Sequence, residues 1–191
     1  MKYSTARLSR PLEGSSACGD IVVEEHEGSW SLFAVVDALG HGLEAEDSAR
    51  RAAEAISAAR GRPLQEVFET VHRSLRGRRG VVMSAILVEG ETATFAGVGN
   101  VEIFTPDGVS RPVTLAGTLG GGVYRFRSFG LPLRSGQRWV LASDGVKTRE
   151  AGALLAQLRA QPPQAVAATI LSQAARVQDD ASLLILDVEH A

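Results

Sequence analysis

Short apolar runs of β-strand length, alternating with helical patterns, constrain the fold of this chain more than any other feature. The run at 30–36 is apolar on both faces, and a polar turn separates it from Val22 and Val23, which predicts a hairpin. Similar runs predict strands at 81–88, 92–98, 101–104, 138–142 and 182–188. The Gly-bearing turns between them are typical of consecutive antiparallel connections.

Helical periodicity predicts two pairs of helices between these strands. An Ala-rich segment at 44–59 ends before Gly61, and an apolar stripe follows at 64–75. Two further helices are predicted at 152–159 and 165–175. Strand runs interleaved with helix pairs favour an α+β layered sandwich over a parallel doubly wound sheet. Because the 191 residues contain no repeat, long linker or low-complexity tract, we expect one domain over 1–191.

The charge balance argues against a protein that binds nucleic acid or a membrane surface. Lys and Arg total 20 against 22 Asp and Glu, a formal net charge of -2. A single cysteine, Cys18, and a polar N-terminus without a signal sequence predict a cytoplasmic protein, and we expect a monomer. The exception to the charge balance is a basic cluster at the end of the second predicted helix, where it would compensate the helix dipole: Arg73, Arg76, Arg78 and Arg79.

Aspartates stand at the ends of four predicted strands. Asp20 directly precedes one apolar strand and Asp37 follows the next, and the pattern recurs late in the chain with Asp144 and with Asp179-Asp180. In an antiparallel hairpin the start of one strand lies beside the end of the other, so Asp20 and Asp37 share one rim. Carboxylates gathered at one edge raise each other's pKa unless cations neutralise them.

Oxygen ligands of this kind suit Mg²⁺ or Mn²⁺, whereas the Cys and His clusters of a zinc site are missing from the sequence. Two such ions about 3.5–4 Å apart can orient a phosphate and lower the pKa of a bridging water. The constellation therefore predicts phosphate-ester hydrolysis with two Mn²⁺ or Mg²⁺ ions. Taken singly, each aspartate would more often be a turn residue or a helix cap, and Asp107-Gly108 is predicted to be an ordinary hairpin turn.

Two glycine-rich segments invite other interpretations. The segment 117–122 suggests a phosphate-binding loop but lacks the Gly-Lys-Ser/Thr ending that reaches nucleotide phosphates. We expect a flexible surface loop near the substrate groove instead, with Gly120 and Gly121 as candidate substrate contacts. The segment 97–100 is better explained as a tight connection between strands.

The order of four motifs resembles that of the type 2C metal-dependent protein phosphatases (the PPM family). The similarity is greatest to the compact bacterial branch that includes SpoIIE, RsbU and RsbX, and the short length and the DxLGHG segment are most similar to its RsbX members. The resemblance covers nearly the whole chain. It is carried by Gly19-Asp20, Asp37-Ala38-Leu39-Gly40-His41-Gly42, Ser143-Asp144-Gly145 and Asp179-Asp180-Ala181-Ser182.

This resemblance implies a four-layer αββα sandwich of two antiparallel sheets flanked by helix pairs. It also implies that Asp37 bridges two Mn²⁺ or Mg²⁺ ions and, with Asp20, is catalytic. Asp20 and the Ala38 carbonyl would serve one ion, and Asp144 and Asp179 the other. Two further residues would lie in the surrounding shell or act as additional ligands: Asp180 and Gly145.

The implied activity is that of a protein serine/threonine phosphatase, and its substrate would be a phosphorylated STAS-domain component of a stressosome. Two alternatives stay open: a catalytically inactive binding module, and a phosphatase acting on an anti-sigma factor antagonist. Where larger relatives carry an Arg before the first Asp, this chain has Ser15, so specificity is expected to come from docking of a folded partner. His41 is predicted to be a turn residue beside the substrate loop, and Cys18 a small filler rather than a reactive thiol.

Overall fold

The computed structural model describes residues 2–122 and 125–189. Strands and helices alternate along the chain much as the apolar runs predict. The elements in chain order are β1 (Tyr3–Arg10), β2 (Asp20–Glu27), β3 (Trp30–Ala38), α1 (Leu43–Ala58), α2 (Leu64–Ser74), β4 (Val81–Glu89), β5 (Thr92–Val98), β6 (Glu102–Phe104), β7 (Phe129–Gly130), β8 (Arg138–Ala142), α3 (Thr148–Gln157), α4 (Pro163–Ala174) and β9 (Ala181–Val188).

These strands form two antiparallel sheets, ordered β1-β9-β8-β6 and β2-β3-β4-β5-β7. The predicted hairpin is β2–β3, and β3 is buried on both faces as expected. The prediction of consecutive antiparallel connections holds through β5 but is wrong at β6, which pairs with β8 in the other sheet. The chain turns away at Gly99, whose φ is +89°, and a Cβ there would lie 2.1 Å from Val82 Cγ1.

The two sheets and four helices stack in four layers, which confirms the α+β sandwich. One apolar cluster joins α1 and α2 to the five-stranded sheet, and a second joins α3 and α4 to the four-stranded sheet. Between the sheets lies a third cluster that includes Phe33, Phe95 and Trp139, none of them more than 1% exposed. Burial of each large apolar side chain contributes about 1.5–3 kcal/mol, so this central layer holds the sheets face to face.

Some element boundaries differ from the predictions. Strand β1 was not predicted, because Ser, Thr and Arg interrupt its apolar pattern, and only Ala6 in it is buried. Helix α3 begins at Thr148 rather than at 152, since its buried positions Ala151 and Leu155 extend on both sides of Gly152. In the described part of the chain, no helix has the length and apolar character that a membrane span requires.

The Asp107-Gly108 turn forms, but no second strand follows it, so the hairpin prediction is wrong there. The Gly108 N–H donates to the Thr105 carbonyl at 2.9 Å, and the Val109 N–H donates to Asp107 Oδ1 at 3.0 Å. Asp107 therefore satisfies backbone groups of its own turn. It serves as an internal contrast for the other aspartates.

Candidate metal centre

The register of the β2–β3 hairpin places the first two candidate aspartates directly opposite each other. Asp20 pairs with Asp37 across the ladder, at the start of β2 and the end of β3. Asp20 is 5% exposed and Asp37 is partly buried. The Ala38 N–H donates to the Gly19 carbonyl at 3.0 Å, which extends the pairing beyond both residues. Two carboxyl groups are thereby fixed side by side at one edge of the five-stranded sheet.

Ser143 connects this edge to the facing sheet. It follows β8, and its Oγ–H donates to Asp20 Oδ2 at 2.6 Å. The Ser143 N–H donates to the Ser182 carbonyl at 3.0 Å, and the Ser182 N–H donates back to Ser143 Oγ at 2.9 Å. Because Ser143 is fully buried, this network fixes the start of the next connection beside Asp20.

Asp144 and Asp179 lie on the connections after β8 and before β9, at the same edge. Asp144 is exposed, and the Asn100 side-chain amide donates to its Oδ2 at 2.7 Å. The Arg176 Nε–H donates to the Asp144 carbonyl at 3.0 Å. Asp179 is partly buried and accepts the Asp180 N–H at 3.0 Å. This half of the edge is held by polar contacts rather than by strand pairing.

Asp180 is buried at 4% exposure and anchors the segment that leads into β2. One carboxylate oxygen accepts the Leu12 N–H at 2.9 Å, and the other accepts the Gly19 N–H at 2.8 Å. Nearby, a Cβ on Gly145 would lie 1.8 Å from the Asp180 carbonyl oxygen, so only glycine permits this close approach. Both residues therefore set the position of the backbone around Asp20 and Asp144.

Burial and mutual repulsion make ionisation of these carboxyl groups unfavourable. Burial, together with the charges of Asp180 and Asp179, raises the pKa of Asp20 to about 7, although the Ser143 hydrogen bond opposes the shift. Burial and the charges of the other four aspartates raise the pKa of Asp37 to about 8. The pKa of Asp179 is raised as well, chiefly by burial and by Asp144. Cations at this edge would relieve the repulsion.

The donor set fits hard divalent cations, because every candidate side-chain ligand is a carboxylate oxygen. Within residues 2–122 and 125–189, no three His, Cys, Asp or Glu side chains are grouped closely enough to enclose a single ion. The carboxylates lie along an open edge, since Asp144 is exposed and both Asp37 and Asp179 are partly buried. Mg²⁺ commonly uses one or two carboxylates and completes its shell with water and substrate oxygens, so an open row suits it.

The predicted substrate-loop residues lie in two different settings. His41 is exposed in the connection between Asp37 and α1, in line with the predicted turn. The segment of Gly120 and Gly121 is anchored rather than free: Leu119 pairs its backbone with Val81 and is fully buried. The Gly120 N–H donates to His72 Nδ1 at 3.1 Å, which holds it against α2. Gly121 and Gly122 are exposed, so the segment lies at the surface as expected, but it is anchored at Leu119 and Gly120, and its contact with substrate stays a prediction.

Cys18 is half-buried beside the edge. Burial, with smaller contributions from the nearby carboxylates, raises the pKa of its thiol to about 12. The thiolate that a nucleophilic cysteine requires is therefore disfavoured.

Three contact residues of the edge were not predicted as functional: Ser143, Asn100 and Arg176. Ser143 belongs to the Ser143-Asp144-Gly145 motif, and its place between a predicted strand and Asp144 is the signal that marks it. Asn100 is the one asparagine of the chain and lies after a predicted strand, so its position carried a weak signal. Arg176 follows a helix and has no pattern that would mark it.

Two facing antiparallel sheets with flanking helix pairs are the fold of the PP2C-type serine/threonine protein phosphatases, and the sequence similarities that follow identify the chain as an enzyme of that class. A family model for stage II sporulation protein E (SpoIIE) matches residues 28–189. The chain therefore belongs to the SpoIIE family. It is also 24% identical over 139 residues to the phosphoserine phosphatase RsbX of Bacillus subtilis (strain 168), over 70% of each chain.

Solved structures agree with this assignment. One solved structure is 28% identical to this chain, with a TM-score of 0.87. It comes from work on the bacterial stressosome as a modular system that has been adapted to control secondary messenger signalling. That match covers 97% of this chain and 100% of the other. The crystal structure of RsbX in complex with magnesium has a TM-score of 0.83 at 18% identity, over 98% of this chain and 96% of the other. The latter likeness concerns the fold.

Proposed function

We propose that this phosphatase removes phosphate from serine or threonine of a STAS-domain stressosome component, as one domain over 1–191. The observation that carries the proposal is the row of carboxylates at the shared edge of the sheets, where Asp20 and Asp37 resist ionisation without a cation. The similarity to RsbX and to a stressosome-associated structure supports the substrate class. The magnesium in the RsbX crystal supports a divalent metal requirement.

Two Mn²⁺ or Mg²⁺ ions are proposed to bind at this edge. When bound, they would neutralise the carboxylates, orient the phosphoryl group and activate a water nucleophile. The charges of all four other aspartates of the edge act on Asp37, which supports it as the bridging residue. Asp20 and the Ala38 carbonyl would hold one ion, and Asp144 and Asp179 the other.

The surrounding residues would hold these ligands in position. Ser143 keeps one oxygen of Asp20 oriented through its 2.6 Å hydrogen bond. Asp180 fixes the backbone before Asp20, while Asn100 orients the Asp144 carboxylate. Outer contacts of this kind set both ligand direction and metal affinity.

Recognition of the substrate is proposed to depend on docking. Ser15, at the position where larger relatives have Arg, hydrogen-bonds Ala17 within its own turn, at 2.9 Å to the carbonyl. It is therefore engaged locally and is too short to clamp a phosphate as a guanidinium would. Affinity beyond the phosphoryl group then has to come from contacts with a folded partner.

The test compares two substrates of the same phosphosite sequence in one Mn²⁺ concentration. We expect kcat/KM for a phosphorylated STAS-domain protein to exceed that for the free phosphopeptide at least about a hundredfold, or about 2.7 kcal/mol. A phosphorylated anti-sigma factor antagonist serves as the competing substrate. Equal efficiencies for protein and peptide would contradict docking, and turnover that survives exhaustive EDTA treatment would contradict the two-metal proposal.

A further inference from the structure

The basic cluster at the end of α2 divides into two parts with different surroundings. Arg78 pairs with Asp47 at 3.3 Å, and Arg79 donates to Glu44 at 2.8 Å, so both bind the acidic side of α1. Arg73 and Arg76 take no part in these pairs. The dipole-compensating role expected of the whole cluster therefore does not describe Arg78 and Arg79, which pair with α1 instead.

Arg73 and Arg76 line a cavity of about 670 Å³ together with Arg125 and Arg127. All four side chains are exposed. Among the residues that the structure describes, none of the four forms an ion pair. Arg73 donates only to the Glu69 carbonyl and to Thr70 Oγ1 on its own helix. Glu69 is the one carboxylate among the lining residues, so the lining carries a clear excess of positive charge.

Aromatic contacts hold the two sides of this cavity together. Phe126 packs against Phe68 and His72, with ring centroids 6.1 and 5.6 Å apart. Because Arg125 and Arg127 flank Phe126 in the chain, these ring contacts hold both arginines at the cavity wall. The arginines therefore stand on two separate stretches of backbone that border one cavity.

A short series of contacts connects the cavity to the strand end that carries Asp37. The Gly120 N–H donates to His72 Nδ1, and the neighbouring Leu119 pairs with Val81. Val81 in turn lies opposite Ala38, the residue that follows Asp37. A protein that placed its phosphoryl group at the aspartates could therefore reach the arginines with an adjoining segment.

We propose that this arginine cavity docks an acidic segment of the phosphoprotein substrate, an inference that rests on the proposed function. Acidic residues of a docked partner would find favourable partners in the four guanidinium groups of the cavity, whereas the carboxylate edge offers them none. Four separated guanidinium groups match several carboxylates along a segment better than they match a single small anion. Exposed pairs of this kind are weak singly and are screened by salt.

Binding of a fluorescein-labelled octaglutamate peptide, measured by anisotropy at low salt, tests the docking without relying on catalysis. We expect Arg76→Glu with Arg127→Glu to weaken the Kd at least about tenfold. Arg134→Glu with Arg159→Glu, at two exposed arginines outside the cavity, makes the same charge change and should alter it less than about twofold. Equal losses in both double variants, or no loss in the first, overturn the proposal.

Additional measurements distinguish an acidic protein segment from other occupants of the cavity. Arg76→Gln with Arg127→Gln repeats the measurement with a smaller perturbation should charge reversal impair folding. Displacement of the peptide by an equal concentration of inorganic phosphate, or stronger binding to phosphatidylserine vesicles than to the peptide, would overturn an acidic protein segment as the occupant.

The turnover of an aryl phosphate in Mn²⁺ distinguishes this proposal from the proposed function. Turnover should be unchanged in the cavity variants. If the unmodified enzyme shows no turnover, the proposed function is contradicted while the peptide result still stands.

Discussion

The two halves of the carboxylate edge differ in how the fold holds them. Asp20 and Asp37 project from paired strands in one register, and burial is the largest contribution to the rise in their pKa. Asp144 is exposed on a connection, oriented by the Asn100 amide. One half is thus fixed by strand pairing and unfavourable to ionise, whereas in the other half Asp144 is open to water and Asp179 is partly buried with a raised pKa.

This difference suggests a division of labour for a site that is proposed to hold two cations. In the buried half, strand pairing fixes the geometry, and a bound ion would supply the neutralisation that solvent cannot. In the exposed half, water already solvates the carboxylate, so a hydrogen-bond partner has to select its orientation. Changes in the first half should therefore affect turnover and the pH dependence of stability, and changes in the second mainly metal affinity.

The largest effect is expected from Asp37→Asn. This change is nearly isosteric but removes the charge proposed to bridge both ions, so kcat/KM should fall at least about a thousandfold, or about 4 kcal/mol. The fold should persist, because the strand pairing at Asp37 uses backbone groups. Steady-state hydrolysis of an aryl phosphate in Mn²⁺, with circular dichroism of both proteins, measures the two quantities.

Asp107→Asn is the matched control, because Asp107 serves only its own turn. Its turnover should stay within about twofold of the unmodified protein, with a stability loss of about 1 kcal/mol from the weakened turn contacts. Similar rates in the two variants would show that the edge is not the catalytic site.

An intermediate effect is expected in the thermal stabilisation by Mn²⁺. The pKa values of Asp20 and Asp37 in the folded protein, about 7 and 8, lie above the unfolded value of about 3.9. The folded state therefore keeps protons that the unfolded state has lost, and metal-free stability from these groups is greatest below about pH 4 and is lost as pH rises through 7 to 8. Mn²⁺ should relieve that loss at high pH and compete with protons at low pH.

We accordingly expect Mn²⁺ to raise Tm by about 5–10 °C at pH 8 and by less than about 2 °C at pH 5.5, relative to EDTA. Differential scanning fluorimetry measures both differences. In Asp37→Asn the metal-free protein should lose less stability between the two pH values. If Mn²⁺ raises Tm by the same amount at both pH values, then the protonation of Asp20 and Asp37 does not control the stabilisation by the metal.

Sequence pattern predicted the buried half well because its determinants are local. Asp20 and Asp37 are joined by one hairpin, and the apolar run between them fixes which residues face each other. The strand register then follows from the short turn and from burial of β3. The class of fold and the family motifs could be identified for the same reason.

The exposed half and the surrounding contacts depend on pairings between distant parts of the chain. Asn100 reaches Asp144 across 44 positions, and Ser143 reaches Asp20 across 123. Strand β1 pairs Tyr3 with Val188, so its mixed pattern becomes a strand only beside β9. Neither periodicity nor turn chemistry encodes such contacts, which is why the sequence indicated the aspartates but not the groups that orient them.

The smallest effect is expected from Asn100→Ala, which removes the amide donor at 2.7 Å from Asp144 but leaves every candidate ligand in place. Without this donor the exposed carboxylate would rotate among several orientations, and only some would suit a cation. The Mn²⁺ concentration for half-maximal activity should rise about tenfold, while kcat at saturating Mn²⁺ should change less than about threefold. Gln137→Ala, which removes a side-chain amide at the far end of β8, should leave both values unchanged. If Asn100→Ala lowers kcat at saturating Mn²⁺ as severely as Asp37→Asn does, then the exposed half takes part in turnover directly, and the division of labour between the two halves is wrong.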